Sequence, residues 1–172
     1  ESQRDKVVAN TRAFLEGKSC NNCLLFGDMG TGKSSTVKAV ANAFRADGLR
    51  IVEIPKERLT DFPLLADKLS LLPMKFIIFI DDLSFEENEV EYKFLKAVIE
   101  GGVETKPDNI LLYATSNRRN LIRETWKDRG DMEHENDIHR SDTLEEKLSL
   151  SARFGTRIHY SAPNHKQFKD IV

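Results

Sequence analysis

Apolar positions along the 172 residues fall into short blocks that switch between two periods. Val7, Thr11, Phe14 and Leu15 recur at helical spacing and stop at Gly17, so an amphipathic helix opens the chain. Cys23-Leu24-Leu25-Phe26 is a continuous apolar run suited to a buried strand. Val37, Val40, Ala41 and Phe44 then mark one helix face, ended by Gly48. Residues 49–54 read as a second strand, halted by Pro55. Leu65, Leu69 and Leu72 mark a helix that starts near Thr60 or Asp61, with Pro63 in its first turn and Pro73 past its end. Residues 76–80 are apolar throughout, as in a strand covered on both faces. Val90, Phe94, Ala97 and Val98 predict a helix closed by Gly101-Gly102. Pro107-Asp108-Asn109 predicts a turn into a fourth strand, residues 110–114, and residues 156–160 read as a fifth. Residues 126–142 are polar without a period and read as a long loop or insertion. Asp142 and Glu145 have capping-box spacing ahead of a short helix through Leu144 and Leu148.

Strands alternating with helices predict a parallel sheet with helices on both faces. In such sheets ligands bind beyond the carboxyl ends of the strands. After the first strand stands Gly27-Asp28-Met29-Gly30-Thr31-Gly32-Lys33-Ser34, the phosphate-loop pattern G-x-x-x-x-G-K-S. Glycines let the backbone curl until its N–H groups face phosphate oxygens, and the following helix turns its positive end toward the same anion. Residues 27–35, through Ser35, are therefore the expected cradle of a purine nucleoside triphosphate. Lys33 is placed to reach the β- and γ-phosphates, and the Ser34 hydroxyl to ligate Mg²⁺. A strand before the loop and a helix after it make a chance glycine turn a poor alternative.

After the third strand come Asp81 and Asp82. Asp81 suits the Mg²⁺ shell and Asp82 the orientation of an attacking water; a helix N-cap is the competing use of Asp82 or Ser84. After the fourth strand, Asn117 is the amide expected near the γ-phosphate, with a turn asparagine as the alternative. Arg118 and Arg119 follow and suit a neighbouring subunit, a phosphate or local acids.

Composition changes this picture little. A net charge of −2, with 40% hydrophobic and 31% charged residues, describes an ordinary globular domain and gives no global basic field for nucleic acid. The longest apolar run is too short to span a bilayer, and no signal-peptide pattern opens the chain, so no membrane association is expected. The chain begins at Glu1 and reads as an excised fragment. Two cysteines, Cys20 and Cys23, have C-x-x-C spacing without two further ligands nearby, so Cys23 reads as a core residue rather than a zinc or redox group. Their scarcity fits a reducing, cytoplasmic setting.

Taken together, these stations resemble the AAA+ ATPases, and within them the bacterial family called domain of unknown function 815. The likeness runs through residues 22–27, 30–39, 81–87, 96–102, 113–119 and 145–155, most of the chain. The resemblance implies a three-layer α/β/α sandwich with a five-stranded parallel sheet in the order 5-1-4-3-2, and a single nucleotide-binding core over residues 1–172. Residues 27–34 would be Walker A and Asp81-Asp82 Walker B. Asn117 would be sensor 1, and Arg153 a finger reaching the γ-phosphate of the next subunit. Without the resemblance Arg153 would read as a surface ion-pair residue. A helical lid with its sensor 2 arginine is implied after the fifth strand and falls outside this chain.

The implied activity is Mg²⁺-dependent ATP hydrolysis coupled to homo-oligomer assembly and remodelling of a protein or nucleic-acid client. Asp82 stands where most of the class carries Glu, which favours the alternative of a nucleotide-dependent switch or helicase loader with little turnover. Glu86 or Glu87 can compensate for the shorter acid, or simply start a helix. A small-molecule kinase is disfavoured by the Asn117 and Arg153 stations. Residues 55–60 lack an aromatic pore-loop signature, against an unfoldase. The bases of that stretch, Lys56 and Arg58, with Arg118, Arg119, Arg123, Lys127 and Arg129, suit nucleic-acid phosphates, but a solvated charged surface is the simpler reading.

Overall fold

Each of the five segments read as strands becomes one in the computed structural model of the chain, which describes residues 2–85, 89, 91–100, 107–117, 121 and 150–162. The elements are α1 (Gln3–Leu15), β1 (Cys23–Gly27), α2 (Lys33–Ala43), β2 (Leu49–Glu53), α3 (Phe62–Ser70), β3 (Lys75–Ile80), α4 (Glu91–Glu100), β4 (Ile110–Ser116) and β5 (Thr156–Tyr160). The strands form one sheet in the order β2-β3-β4-β1-β5, with every pair parallel. Read from the other edge this is 5-1-4-3-2, the order the resemblance implies.

Alternation along the central strands feeds two cores. Leu24, Ile78, Ile80, Leu112 and Ala114 meet Phe62, Ala66 and Leu69 of α3 and Tyr92 and Leu95 of α4 on one face. Cys23, Leu25, Ile77, Phe79 and Tyr113 meet Val7 and Phe14 of α1 and Val37, Val40 and Ala41 of α2 on the other. Both faces are covered, which is why these strands are apolar at every position. Polar staples fix the ends. The Asn109 amide donates to the carbonyls of Leu69 and Met74 at 2.9 and 3.1 Å, and the buried Tyr113 hydroxyl meets Thr11 of α1 at 2.8 Å.

Several boundaries differ from the sequence expectation. Phe44 caps the end of α2 and packs half-buried against the same core as Val37, Val40 and Ala41, and the chain turns on through a 3-10 segment, Arg45–Asp47, that Gly48 closes with φ +88°. A 3-10 segment, Lys56–Asp61, precedes α3, whose buried residues are Phe62, Ala66 and Leu69; Leu72 lies beyond its end and is exposed. In α4 Tyr92 and Leu95 are buried and the expected Val98 packs half-buried against the same core, whereas Phe94 and Ala97 face solvent. The Tyr92 ring packs edge-on against Phe85, and Leu95, Val98 and Ile99 join it against the core on that face. β4 runs two residues further than expected, through Ser116, and these carry part of the site. Val90, Gly101-Gly102, residues 126–142 and the short helix through Leu144 and Leu148 lie outside the described residues.

Candidate phosphate-binding site

The loop after β1 is shaped by contact with β5. Gly27 has φ +131°, and a Cβ on it would stand 1.9 Å from the Tyr160 carbonyl oxygen, so only glycine fits. The next amide, Asp28 N–H, donates to that carbonyl at 2.9 Å, and the Asp28 carboxylate accepts from the Ala162 amide at 2.7 Å. Within the loop the Thr31 hydroxyl donates to the Asp28 carbonyl at 2.8 Å. Gly30 and Gly32, at φ +75° and +86°, complete the curl. Gly32 is the N-cap of α2 and supplies no capping side chain. Among the described residues, no backbone amide of residues 29–35 donates to a carbonyl or side chain of the protein. A run of open amides at the positive end of a helix is the physical definition of an anion site.

Lys33 lies inside this curl, only 5% exposed. Its ammonium donates to the carbonyls of Asp28 and Gly27 at 2.6 and 3.1 Å. Burial pulls its pKa below the usual lysine value, while the negative charges of Asp82, Asp28 and Asp81 push it back up. The ammonium is thus held by backbone carbonyls, with three carboxylates near enough to favour its charged form. The Ser34 hydroxyl, one residue on, donates to Asp81 Oδ1 at 2.6 Å. Phosphate loop and third-strand acid therefore share one side of the sheet and touch.

Asp81 and Asp82 form the turn that leaves β3. Burial opposes ionisation of Asp81, but hydrogen bonds from Ser34 and Thr115, the charge of Lys38 and the Asp82 amide outweigh it and hold the carboxyl below its ordinary value. Asp82 has φ +51°, a left-handed conformation that aspartate tolerates better than most residues. Its carboxylate accepts from the Asn117 amide at 2.7 Å. β4 lies between β1 and β3, so Asn117 reaches Asp82 directly across the strand ends.

Of the expected site residues, Lys33, Ser34, Asp81, Asp82 and Asn117 converge, as do the loop residues Asp28, Thr31 and the glycines. Met29 projects outward, 83% exposed. Arg153 does not join them. It precedes β5, whose Thr156 pairs with Cys23 at the start of β1, so it sits at the opposite end of the strands. Five residues of strand separate the two ends, about 16 Å at ~3.3 Å per residue. There its guanidinium pairs with Glu100 at the end of α4. Arg118, Arg119, Arg123, Lys127, Arg129, Glu86 and Glu87 lie outside the described residues.

Sequence reasoning missed three participants. Thr115 donates to Asp81 Oδ1 at 2.6 Å and accepts from the Asp82 amide at 2.9 Å. Its signal was present: two residues before Asn117 on a strand, it faces the same way. Lys38 supports Asp81 electrostatically from one turn beyond Ser34, while bonded to Glu53 at 3.0 Å. Ala162 fixes the Asp28 carboxylate, and nothing in the sequence could announce that pairing. In the stretch 55–60, Lys56 is held by Glu89 at 2.8 Å and Arg58 by Asp61 at 2.7 Å, so both bases are neutralised within the chain.

Other candidate chemistry falls away. Cys23 is fully buried and burial pushes its thiol up to about 12; Cys20 is half-buried, and neither forms a disulfide. Among the described residues no group of three or more His, Cys, Asp or Glu is placed to hold a metal ion, and no helix is long and apolar enough to cross a membrane. Ser34 with Asp81 is instead a hard-oxygen pair, the donor chemistry of Mg²⁺, which keeps most of its water and needs only one or two protein ligands.

Sheet order, crossovers and loop geometry define an AAA+ P-loop fold. The solved structures similar to it are of that class. The Aeropyrum pernix Orc1 protein in complex with DNA superposes with a TM-score of 0.64 at 14% identity, over 98% of this chain and 47% of that one. The Thermotoga maritima RuvB Holliday junction branch migration motor gives 0.52 at 16% identity, over 98% and 47%. The DnaI crystal structure gives 0.53 at 17% identity, over 95% and 85%. This chain spans about half the length of the Orc1 and RuvB chains. No curated protein matches it. The chain belongs to the family described as "Protein of unknown function (DUF815)", which matches residues 1–172.

Proposed function

We propose that this domain is a Mg²⁺-ATP-binding AAA+ module that hydrolyses ATP. The observation that carries the reading is the 2.6 Å contact between the Ser34 hydroxyl and Asp81, one residue from a buried Lys33 and beside a run of open amides. The loop amides and Lys33 bind the β- and γ-phosphates. Ser34 and Asp81 would hold Mg²⁺, which supplies charge neutralisation at the phosphate oxygens when bound. Asp82 orients the attacking water, and Asn117 holds that water or the γ-phosphate. Arg153, too far from its own phosphate loop, serves the site of a neighbouring subunit, so turnover requires an oligomer. ATP binding and loss of the γ-phosphate would then tighten and relax the assembly that acts on a protein or nucleic-acid client.

A second reading has one observation in its favour. The short Asp82 side chain is already hydrogen-bonded to Asn117. A carboxylate so engaged suits a nucleotide-dependent switch with little turnover. DNA is a candidate client by analogy with the DNA-bound Orc1 structure.

The direct test is Lys33→Ala. Removing the buried cation should weaken ATP binding, measured by calorimetry with Mg²⁺, by tenfold or more, equivalent to about 1.4 kcal/mol or more. Unchanged affinity in a folded variant would overturn the proposal.

A further inference from the structure

Thr115 is a buried polar residue, 1% exposed, near the carboxyl end of the central strand β4. A hydroxyl has one proton and two lone pairs. Here the proton goes to Asp81 Oδ1 at 2.6 Å, and a lone pair takes the Asp82 amide at 2.9 Å. The Thr115 carbonyl also takes the Leu83 amide, at 2.7 Å. One residue of β4 thus holds three successive residues of the turn that leaves β3. That turn contains the only non-glycine residue with positive φ among the described residues, Asp82.

Two consequences follow from the geometry. Asp81 Oδ1 receives short bonds from two hydroxyls, Ser34 on α2 and Thr115 on β4, so the carboxylate is pinned from both neighbouring elements and its orientation is set before any ligand arrives. The Asp82 backbone amide is anchored on the same Thr115 oxygen that pins Asp81, and also donates to Asp81 Oδ1 at 3.1 Å, so the main chain that carries the Asp82 carboxylate is fixed relative to the Asp81 carboxylate. We propose that Thr115 is the positioning residue of this site: it couples the metal-binding acid to the water-orienting acid through one hydroxyl. This inference rests on the Mg²⁺-ATP reading above. Thr115 acts through its hydrogen bonds to Asp81 and Asp82.

The test separates coupling from mere packing. Thr115→Val keeps the shape and the β-branch but removes donor and acceptor together. ATP binding is measured calorimetrically in EDTA and across a Mg²⁺ titration, for the wild-type protein and each variant. In Thr115→Val the Mg²⁺ concentration for half-maximal enhancement of ATP binding should rise at least tenfold, while metal-free ATP affinity stays within twofold. Thr115→Ser, which restores the hydroxyl, should return to within threefold of wild type. A role confined to packing would lower stability and leave the Mg²⁺ dependence alone, and that result overturns the inference. If Thr115→Val loses its cooperative unfolding transition, Thr115→Cys takes its place; its weak S–H donor should give an intermediate rise of about fivefold, and no rise would equally overturn the inference. If the wild-type protein shows no Mg²⁺-dependent ATP binding, the triphosphate reading fails and takes this one with it. If it does and the variants match it, only the coupling role fails.

Discussion

Replacing Gly27 with Ala puts the sharpest question to the loop geometry. The added methyl would stand 1.9 Å from the Tyr160 carbonyl oxygen and 2.8 Å from its carbon. Both are backbone atoms, so no rotamer change relieves the collision. The contact must open to at least 3.0 Å, a displacement of about 1.1 Å between the ends of β1 and β5. The bond from Asp28 N–H to that carbonyl, now 2.9 Å, would stretch out of range. Its loss costs about 1 kcal/mol. Forced separation of packed elements costs about 1–3 kcal/mol. A side chain at φ +131° adds about 1–3 kcal/mol. The sum, about 3–7 kcal/mol, is a large part of the 5–15 kcal/mol that keeps a typical domain folded. Gly30→Ala is the control, because nothing lies within 4 Å of its Cβ position and only the φ of +75° is penalised. It should cost about 1–2 kcal/mol. Urea unfolding followed by circular dichroism compares the two. If Gly27→Ala is no more than about 1 kcal/mol worse than Gly30→Ala, the collision with Tyr160 does not govern the loop.

The lowered pKa of Asp81 stabilises the folded chain above the ordinary aspartate value of 3.8, and that contribution disappears as pH falls through the lower folded value. Urea midpoints for wild type and Asp81→Asn should therefore differ most near pH 6 and converge toward pH 3; a constant gap would show that Asp81 ionisation contributes nothing. For Arg153, Arg153→Ala should abolish most ATP turnover of the assembled protein while monomer binding stays within twofold. Mixing that variant with Lys33→Ala subunits, whose Arg153 is intact, should restore turnover, and failure to do so would rule out action in trans.

The strands were legible because burial on both faces leaves uninterrupted apolar runs, as in residues 76–80. The phosphate loop was legible because its spacing encodes backbone geometry through Gly27, Gly30 and Gly32. Helix faces were harder. In α4 the exposed Phe94 and Ala97 share helical spacing with the inward-packed Val98, and the packing of Tyr92, Leu95 and Ile99 against the core is not visible in that spacing. In α2 the period continues into Phe44, although the helix has already ended. At the site, acids and amide were visible as residues that follow strands. Their wiring was not, because Thr115 reads as one more strand residue until its neighbours β1 and β3 are in place. The same holds for Asp28 and Ala162, which lie too far apart in the chain for any local pattern to join them.

That last tie has a mechanical meaning. Through Gly27 packed on Tyr160, the Asp28 amide on its carbonyl and the Asp28 carboxylate on Ala162, the nucleotide end of the first strand is riveted to the outgoing end of the last. A shift of the end of β5 would therefore carry Gly27 and Asp28 with it, so the border strand sets the shape of the loop as well as closing the sheet.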